Sequence, residues 1–244
     1  MAHNVALVTG AASGIGAEFC RQLNEMGWQV LMVDCQPCND RLNSLQLDLT
    51  DHEADKKITD WLDSLDIVPD LLINNAGIFD FRRVCSMTPQ RLDLYIDLHM
   101  RAVTKLCRAI VPLMAERGSG MILNMSSMSC WMPMPGIAMY SATKAYIRAF
   151  SRALRLEVKD RGVSVTVACP GGIATDLFGL PRNLQKLGVR VGALQTPRRF
   201  VRGALRATMR HRKQYINGII NRIAIVAVGV LPDCLRRIIN RYPK

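Results

Sequence analysis

Residues 5–16, VALVTGAASGIG, decide the fold: an apolar strand runs into a glycine-rich turn that opens a helix. Gly10 allows the tight turn, Gly14 lets the backbone approach a pyrophosphate, and Gly16 lets the helix pack close to the strand. Free N–H groups and the positive end of the helix dipole then face the phosphates. The spacing is GxxxGxG, and with these flanks it favours dinucleotide binding over a purely structural turn.

Short apolar runs alternate with helical patterns from this motif to residue 168. Strands are predicted at 5–9, 29–33, 45–48, 71–74, 121–125 and 164–168, and helices at 15–26, 54–65, 88–115 and 140–160. This alternation predicts an α/β fold in which a parallel sheet carries helices on both faces. Ligands bind beyond the carboxyl ends of such strands, where every motif below lies.

Asp34 ends the second predicted strand. A carboxylate there can accept hydrogen bonds from both ribose hydroxyls of NAD, and it would repel the 2′-phosphate of NADP. Neither Cys35 nor Ser13 is basic, so neither would hold that phosphate. We therefore expect NAD as the cofactor.

The next two strands end in LDLT at 47–50 and NNAG at 74–77. Asp48, followed by Leu49, is positioned to bind the adenine amine. The second tetrapeptide contributes Asn75, Ala76 and Gly77 as a wall for the adenosine. Either tetrapeptide alone is also compatible with a simple turn.

Tyr140 and Lys144 of YSATK lie four residues apart, on one face of a helix. A phenol has a pKa near 10, and an ammonium group one turn away lowers it. The pair can then exchange a proton with an alcohol or ketone while a hydride moves. A hydroxyl from NMSS at 124–127 would hold the substrate oxygen; Ser127 is preferred and Ser126 is the alternative.

Taken together, these motifs resemble the short-chain dehydrogenase/reductase family, of the short single-domain type. The matching segments run in order over residues 4–176: TGAASGIG at 9–16, Asp34, DLT at 48–50, NNAG at 74–77, NMSS at 124–127, YSATK at 140–144 and PGGIAT at 170–175. The resemblance implies a Rossmann-type, doubly wound fold and hydride transfer to or from nicotinamide.

The resemblance also assigns roles to individual positions. Ser127 lies 13 residues before Tyr140, the usual family spacing, which favours it over Ser126. Lys144 would hold the nicotinamide ribose. The other implied cofactor contacts are Thr9, Gly10, Ser13, Gly14, Ile15, Gly16, Asp34, Asp48, Leu49, Asn75, Ala76, Gly77, Tyr140, Pro170, Gly171, Ile173 and Thr175.

Two positions depart from the family pattern. Only 14 residues separate Asp34 from Asp48, where the family usually has a full helix, so we expect an exposed loop near the adenine. His99 occupies the slot of an asparagine that helps hold a water in a proton relay through the lysine. Because imidazole titrates near pH 6.5, we expect His99→Asn to retain activity and to flatten the pH–rate profile below neutrality.

The C-terminal part differs from the commonest family ending and is strongly basic. The net charge is +12, and 15 of the 32 Lys and Arg but only two of the 20 Asp and Glu lie from Asp176 onward. Within one domain, 1–244, we expect a substrate lid and a basic helix at 177–212, with Thr196 as cap and Pro197 in the first turn. An apolar extension follows at 213–244; packing on the pocket or on another subunit is favoured over contact with a membrane surface.

Composition excludes several other classes of protein. Hydrophobic residues make up 49% of the chain, typical of a folded protein. The longest uncharged apolar run near the C-terminus has nine residues, 223–231, whereas a spanning helix needs about 20. We expect a cytoplasmic protein, with peripheral membrane contact as the alternative. The pair Cys35 and Cys38 has no second ligand pair, so we expect no metal.

The sequence therefore predicts an NAD(H)-dependent oxidoreductase that interconverts a secondary alcohol and a ketone on a bulky hydrophobic substrate, steroid-like, bile-acid-like or acyl. Ser127, Tyr140, Lys144 and His99 form the expected catalytic set. The alternative is a cofactor-binding protein with weak or no catalysis that acts by interaction through its basic region. A homodimer or homotetramer is expected. Nucleic-acid binding is not, because the basic region lacks interleaved aromatic residues.

Overall fold

A parallel β-sheet forms the centre of the protein. The computed structural model describes residues 4–38, 40, 42–132, 134–175, 181–190 and 194–229. The strands are β1 Val5–Thr9, β2 Gln29–Asp34, β3 Ser44–Gln46, β4 Leu71–Asn74, β5 Gly120–Met125, β6 Val163–Ala168 and β7 Gln214–Tyr215. The helices are α1 Gly14–Glu25, α2 Ala54–Ser64, α3 Pro89–Ile96, α4 Ala102–Arg117, α5 Ala138–Val158, α6 Arg182–Arg190, α7 Pro197–Met209 and α8 Ile219–Gly229. A π-helical turn, Asp97–Arg101, joins α3 to α4.

The strand order is β3-β2-β1-β4-β5-β6-β7, and every pair of neighbours is parallel. The order reverses direction between β1 and β4, which is the point where open α/β sheets form a ligand crevice. The predicted Rossmann-type, doubly wound fold is confirmed.

Both faces of the sheet are covered, because successive strand residues point to opposite sides. In β1, Leu7 packs with α2, α4 and α5, whereas Val8 packs with α1 and α7. Phe19 of α1 and Phe200 of α7 are fully buried on this second side. The basic helix α7 is therefore part of the fold, with its apolar stripe in the core.

The predicted cap of α7 is confirmed. Thr196 precedes the helix and its hydroxyl accepts a hydrogen bond from the Arg199 N–H at 3.3 Å, while Pro197 fills the first position. The helix ends at Met209. The extension also contains a helix, α8, whose only charged residue is Arg222. No helix within the described ranges has both the length and the apolar character to cross a membrane.

Several boundaries differ from the prediction. The single helix expected at 88–115 is interrupted by the π-helical turn. Strand β3 stops before Asp48, because the Asp48 carboxylate accepts hydrogen bonds from the Thr50 N–H and hydroxyl and so forms a turn. Strand β7 was not predicted at all. The described residues between β2 and β3 form no helix, as expected for that short span.

Parts of two predicted segments lie outside the described residues. These are 177–180 and 191–193 of the expected lid and 230–244 of the extension. Helix α6 is the described part of the lid. Leu194 and Gln195 tie this helix to the segment after β6. The Leu194 N–H donates to the Gly188 carbonyl of α6, the Ala174 N–H donates to the Gln195 carbonyl, and the Gln195 N–H donates to the Gly172 carbonyl.

Candidate active site

A cavity of about 1090 Å³ opens at the carboxyl ends of the strands. Its wall contains fourteen of the twenty predicted site residues. The six others are not among the residues that line it: Thr9, Gly16, His99, Ser127, Gly171 and Ile173. Residues that are up to 165 positions apart in the chain, from Gly10 to Thr175, therefore lie around the same cavity.

The glycine loop is held by close backbone packing. A Cβ atom on Gly16 would lie 1.8 Å from the Gly10 carbonyl oxygen, and one on Gly10 would lie 2.8 Å from the Ala76 Cα. The Asn75 amide donates to the carbonyls of Thr9 at 3.0 Å and Gly10 at 3.1 Å. Asn75 thus ties NNAG to the loop through its side chain, in addition to lining the cavity.

Gly14 presents bare backbone to the cavity. Its φ is +56°, and a Cβ atom there would meet nothing within 4 Å. The Ser13 side chain, which precedes α1, makes no capping hydrogen bond. The first N–H groups of α1, which lie beside the cavity, therefore receive no hydrogen bond from the Ser13 side chain. This arrangement fits the diphosphate of a dinucleotide.

Asp34 lies at the cavity wall where β2 ends. Its carboxylate accepts hydrogen bonds from the Ala12 and Gln36 N–H groups, both at 2.9 Å. These two bonds fix the carboxylate in place and leave acceptor capacity for further donors, since a carboxylate has about four acceptor sites. The neighbouring wall residues Cys35 and Gln36 are uncharged.

Ser127, Tyr140 and Lys144 meet at the other side of the cavity. The Ser127 hydroxyl lies beside the Tyr140 phenol and favours its ionised form. The Lys144 ammonium donates to the Met125 carbonyl at 3.0 Å and lies 5.7 Å from the centre of the Tyr140 ring. The Ser126 hydroxyl instead donates to the Lys144 carbonyl at 2.7 Å. Ser127, and not Ser126, therefore faces the tyrosine.

The acid–base properties differ from the sequence-based expectation. Burial raises the pKa of Tyr140 to about 12, and the neighbouring Ser127 hydroxyl only partly opposes this. The expected net lowering of this pKa is therefore wrong for the protein alone, because burial disfavours the phenolate. Burial also lowers the pKa of the Lys144 ammonium to about 8. Tyr140 is therefore protonated at neutral pH.

His99 is fully buried in the π-helical turn. The Ile78 N–H donates to His99 Nε2 at 3.0 Å, so the ring proton belongs on Nδ1, which donates to the Thr143 hydroxyl at 2.9 Å. That hydroxyl in turn donates to the Tyr140 carbonyl at 2.9 Å. Both ring nitrogens are thus engaged in joining the segment after NNAG to the first turn of α5.

The expectation that His99 titrates near pH 6.5 is wrong. Burial, with a further contribution from the Lys144 charge, holds the pKa of His99 well below its usual value. The imidazole is therefore neutral across the physiological range. Its hydrogen bonds position Tyr140 and the 77–78 segment, and they include none to Lys144.

Sequence reasoning missed the residues that line the open side of the cavity. Ile78, Leu94 and Leu98 form an apolar wall, and Arg182 and Lys186 of α6 add two positive charges. The available signal was spacing: Leu94 and Leu98, and likewise Arg182 and Lys186, are four residues apart and share a helix face. The other cationic wall residue is Lys144.

The cysteine pair shows no metal-site geometry. Cys35 is exposed, whereas Cys38 packs against the core beside α1. Within the described ranges, no three His, Cys, Asp or Glu side chains are grouped so as to hold a metal ion.

Comparison with known proteins identifies the family. The family model described as short chain dehydrogenase matches residues 4–183, which contain β1 to β6 and every predicted site residue. The chain belongs to the short-chain dehydrogenase family. The motif-based resemblance is therefore confirmed.

Two curated relatives of this short-chain dehydrogenase are longer proteins. Probable oxidoreductase EphD of Mycobacterium tuberculosis is 31% identical over 183 residues, covering 70% of this chain and 31% of EphD. The 17-beta-hydroxysteroid dehydrogenase type 3 of Danio rerio is 28% identical over 192 residues, covering 71% of this chain and 62% of that protein. The chain thus spans about a third of the first relative and less than two thirds of the second.

Two solved structures resemble this dehydrogenase. A short-chain dehydrogenase from Streptomyces avermitilis is 28% identical, with a TM-score of 0.79, covering 98% of this chain and 95% of that one. A 4-hydroxyisoleucine dehydrogenase complexed with NADH and succinate is also 28% identical, with a TM-score of 0.65 and coverage of 75% and 87%.

Proposed function

We propose that this short-chain dehydrogenase uses NAD(H) to interconvert a secondary alcohol and a ketone on a bulky hydrophobic substrate. The proposal rests on one observation: Tyr140 and Lys144 line a cavity that the glycine loop also lines, and the Ser127 hydroxyl lies beside Tyr140. These groups supply proton transfer where a nicotinamide would supply hydride transfer.

The chemistry divides between the protein and its cofactor. A bound nicotinamide would supply the hydride or accept it. In ketone reduction Tyr140 gives its proton to the substrate oxygen, and in alcohol oxidation it takes the proton back. The high pKa of buried Tyr140 keeps that proton available at neutral pH. Ser127 donates a hydrogen bond to the same oxygen, and the Lys144 charge favours the phenolate as it forms.

The proposed preference for NAD over NADP rests on the negative charge of Asp34. A 2′-phosphate on the adenosine ribose would approach this carboxylate, and the adjacent wall residues Cys35 and Gln36 offer no positive charge. The ribose hydroxyls of NAD can instead donate to it. The bound NADH of the 4-hydroxyisoleucine dehydrogenase structure is consistent with this choice.

The substrate side of the cavity supports a bulky apolar molecule that bears an anionic group. Ile78, Leu94 and Leu98 present apolar surface, and the similarity to a hydroxysteroid dehydrogenase fits such a substrate. Arg182 and Lys186 face the same cavity, and no ion pair between described residues involves either of them. A carboxylate or phosphate on the ligand would neutralise them.

Substitution of Tyr140 tests the reaction. Tyr140→Phe keeps the ring and removes the proton, so we expect loss of turnover on the order of a thousandfold or more with NADH binding retained. The assay follows NADH absorbance with a panel of ketones and secondary alcohols that includes steroids and bile-acid-like anions. Normal turnover by the variant rules out the mechanism, and absence of turnover by the wild type across the panel favours a role through interaction.

Substitution of Asp34 tests the cofactor. Fluorescence titration is expected to give tighter binding of NADH than of NADPH by the wild-type protein. Asp34→Asn removes the charge and keeps one of the two oxygens that accept from the Ala12 and Gln36 N–H groups. We expect it to reduce the difference in affinity between NADH and NADPH by about tenfold or more. Tighter NADPH binding by the wild type would contradict the assignment.

A further inference from the structure

Helix α8 exposes an apolar face to solvent. Four of its large side chains are 62–74% exposed: Ile219, Ile220, Ile223 and Val226. These positions lie on one side of a helix, because they follow the 3.6-residue period. An apolar face that is exposed to solvent indicates an interaction site.

Three exposed arginines lie near the half-buried Tyr215, which precedes α8 by four residues. Arg199 and Arg206 share the α7 face of Gly203, because they lie four residues before it and three after it, and Arg222 belongs to α8. The Tyr215 hydroxyl packs on Gly203 of α7, and the charges of Arg199, Arg206 and Arg222 all act on it. The three guanidinium groups belong to exposed residues of two helices, α7 and α8. None of the ion pairs formed between described residues involves them.

The start of α8 is fixed to the active site. The Gly171 N–H donates to the carboxamide oxygen of Asn217, which is fully buried, at 2.7 Å. The Asn221 amide donates to the Asn217 carbonyl at 2.7 Å. A Cβ atom on Gly171 would lie 2.3 Å from the Asn221 amide nitrogen, so this glycine allows α8 to approach closely. The helix also packs against Met128–Trp131, the turn that follows Ser127.

We propose that α8 docks the protein on an anionic membrane surface. Its apolar face enters the boundary between head groups and acyl chains, and Arg199, Arg206 and Arg222 contact lipid phosphates. With 11 residues, α8 is about 16 Å long and lies in the plane of the surface. Because α8 is anchored at Gly171, docking holds the cavity close to the lipid. The proposal does not depend on the reaction, since docking is measured without turnover.

Charge distinguishes a lipid surface from other occupants of this face. A symmetric contact with a second copy would bring two sets of the same arginines towards each other, which is unfavourable. The following residues, 230–244, contain four basic residues and one acidic residue, so they do not neutralise the arginines. Anionic phospholipid supplies both the apolar layer and the opposite charge.

Vesicle sedimentation with the full chain tests the proposal. Sucrose-loaded vesicles of phosphatidylcholine alone are compared with vesicles that contain about 30% phosphatidylserine. We expect the protein to sediment with the anionic vesicles, and we expect this binding to weaken on the order of tenfold when salt rises from about 0.1 to 0.5 M.

A matched pair of variants assigns the binding to α8. Ile219 and Leu156 of α5 are both 74% exposed, so aspartate at either position creates no buried charge. Ile219→Asp is expected to weaken vesicle binding by about tenfold or more, and Leu156→Asp to leave it unchanged. Arg222→Gln is expected to weaken it on anionic vesicles only. Thermal unfolding and NADH titration verify that each variant is folded.

Three results would overturn the proposal. The first is absence of sedimentation with any vesicle. The second is binding that is equal for Ile219→Asp, Leu156→Asp and the wild type. The third is a change of oligomeric state in Ile219→Asp, measured by analytical ultracentrifugation, without loss of vesicle binding, because this outcome assigns the face to a protein contact.

Discussion

At the scale of single residues, Gly16 is the most tightly packed glycine of the glycine loop. Gly16→Ala would place a methyl group 1.8 Å from the Gly10 carbonyl oxygen, so the loop must shift. We expect a loss of about 2 kcal/mol in the free energy of unfolding and NADH binding weakened by about tenfold or more. Urea unfolding and fluorescence titration measure the two effects.

Gly27 provides the control for this substitution. It has a φ of +80°, but a Cβ atom there meets nothing within 4 Å. Gly27→Ala is expected to cost about 1 kcal/mol through backbone strain and to leave NADH affinity unchanged. If both variants changed NADH affinity equally, crowding at Gly16 would not be the reason for the effect.

Because His99 is buried and neutral, we expect the free energy of unfolding to depend on pH. In the folded protein its pKa lies well below 6.5, whereas the unfolded chain binds a proton at about pH 6.5. As pH falls below that value, the unfolded state therefore gains a proton that the folded state excludes. His99 should lower the free energy of unfolding by up to about 1.4 kcal/mol per pH unit in this range.

His99→Asn removes this dependence and retains an acceptor for the Ile78 N–H. We expect the variant to keep activity within about tenfold, with a pH–rate profile between about pH 6 and 8 that matches the wild type. Urea unfolding between about pH 7.5 and 5 measures the difference in slope. Equal slopes in the two proteins would mean that His99 is protonated in the folded state.

At the scale of elements, α6 places two positively charged side chains, Arg182 and Lys186, at the cavity wall. Arg182→Gln and Lys186→Gln are each expected to raise KM for a carboxylate substrate by about tenfold and to leave KM for a neutral ketone unchanged. Arg190→Gln is the control, since Arg190 lies at the end of the same helix outside the cavity wall. An increased Kd for NADH with unchanged substrate KM would instead place both side chains on the cofactor diphosphate.

The elements that the sequence predicts correctly are those set by residues close together in the chain. Strand β1, its glycine turn and α1 were predictable, because apolar runs and glycine spacing act within a few residues. The π-helical turn was not, since it buries His99 against Ile78 and Thr143, which are 21 and 44 positions away. Strand β7 has only two residues and exists by pairing with β6.

The same distinction between local and long-range causes applies to the site residues. Ser127, Tyr140 and Lys144 were predictable from motif spacing, and the structure brings them together. Arg182 and Lys186 were not identified, because their direction depends on how α6 is tied back to the segment after β6. The acid–base behaviour of Tyr140 was also missed, since burial is a property of the packed molecule and not of the motif.

At the scale of the whole molecule, cofactor binding should stabilise the entire fold, because the cavity wall is drawn from both halves of the sheet. NADH at about 100 times its Kd adds about 2.7 kcal/mol, which corresponds to roughly 5 to 10 °C in Tm for a domain of this size. NADPH at the same concentration should give a smaller shift. Differential scanning fluorimetry tests this, and equal shifts would contradict the NAD preference.

The strand order also has a consequence for synthesis on the ribosome. Strand β1 emerges first and occupies a central position; β2 and β3 then add on one side, and β4, β5, β6 and β7 add in turn on the other. Every new strand therefore meets an edge that is already present, and no strand has to be inserted between two others. The sheet can grow in step with translation, and the basic C-terminal helices reach a scaffold that is already built.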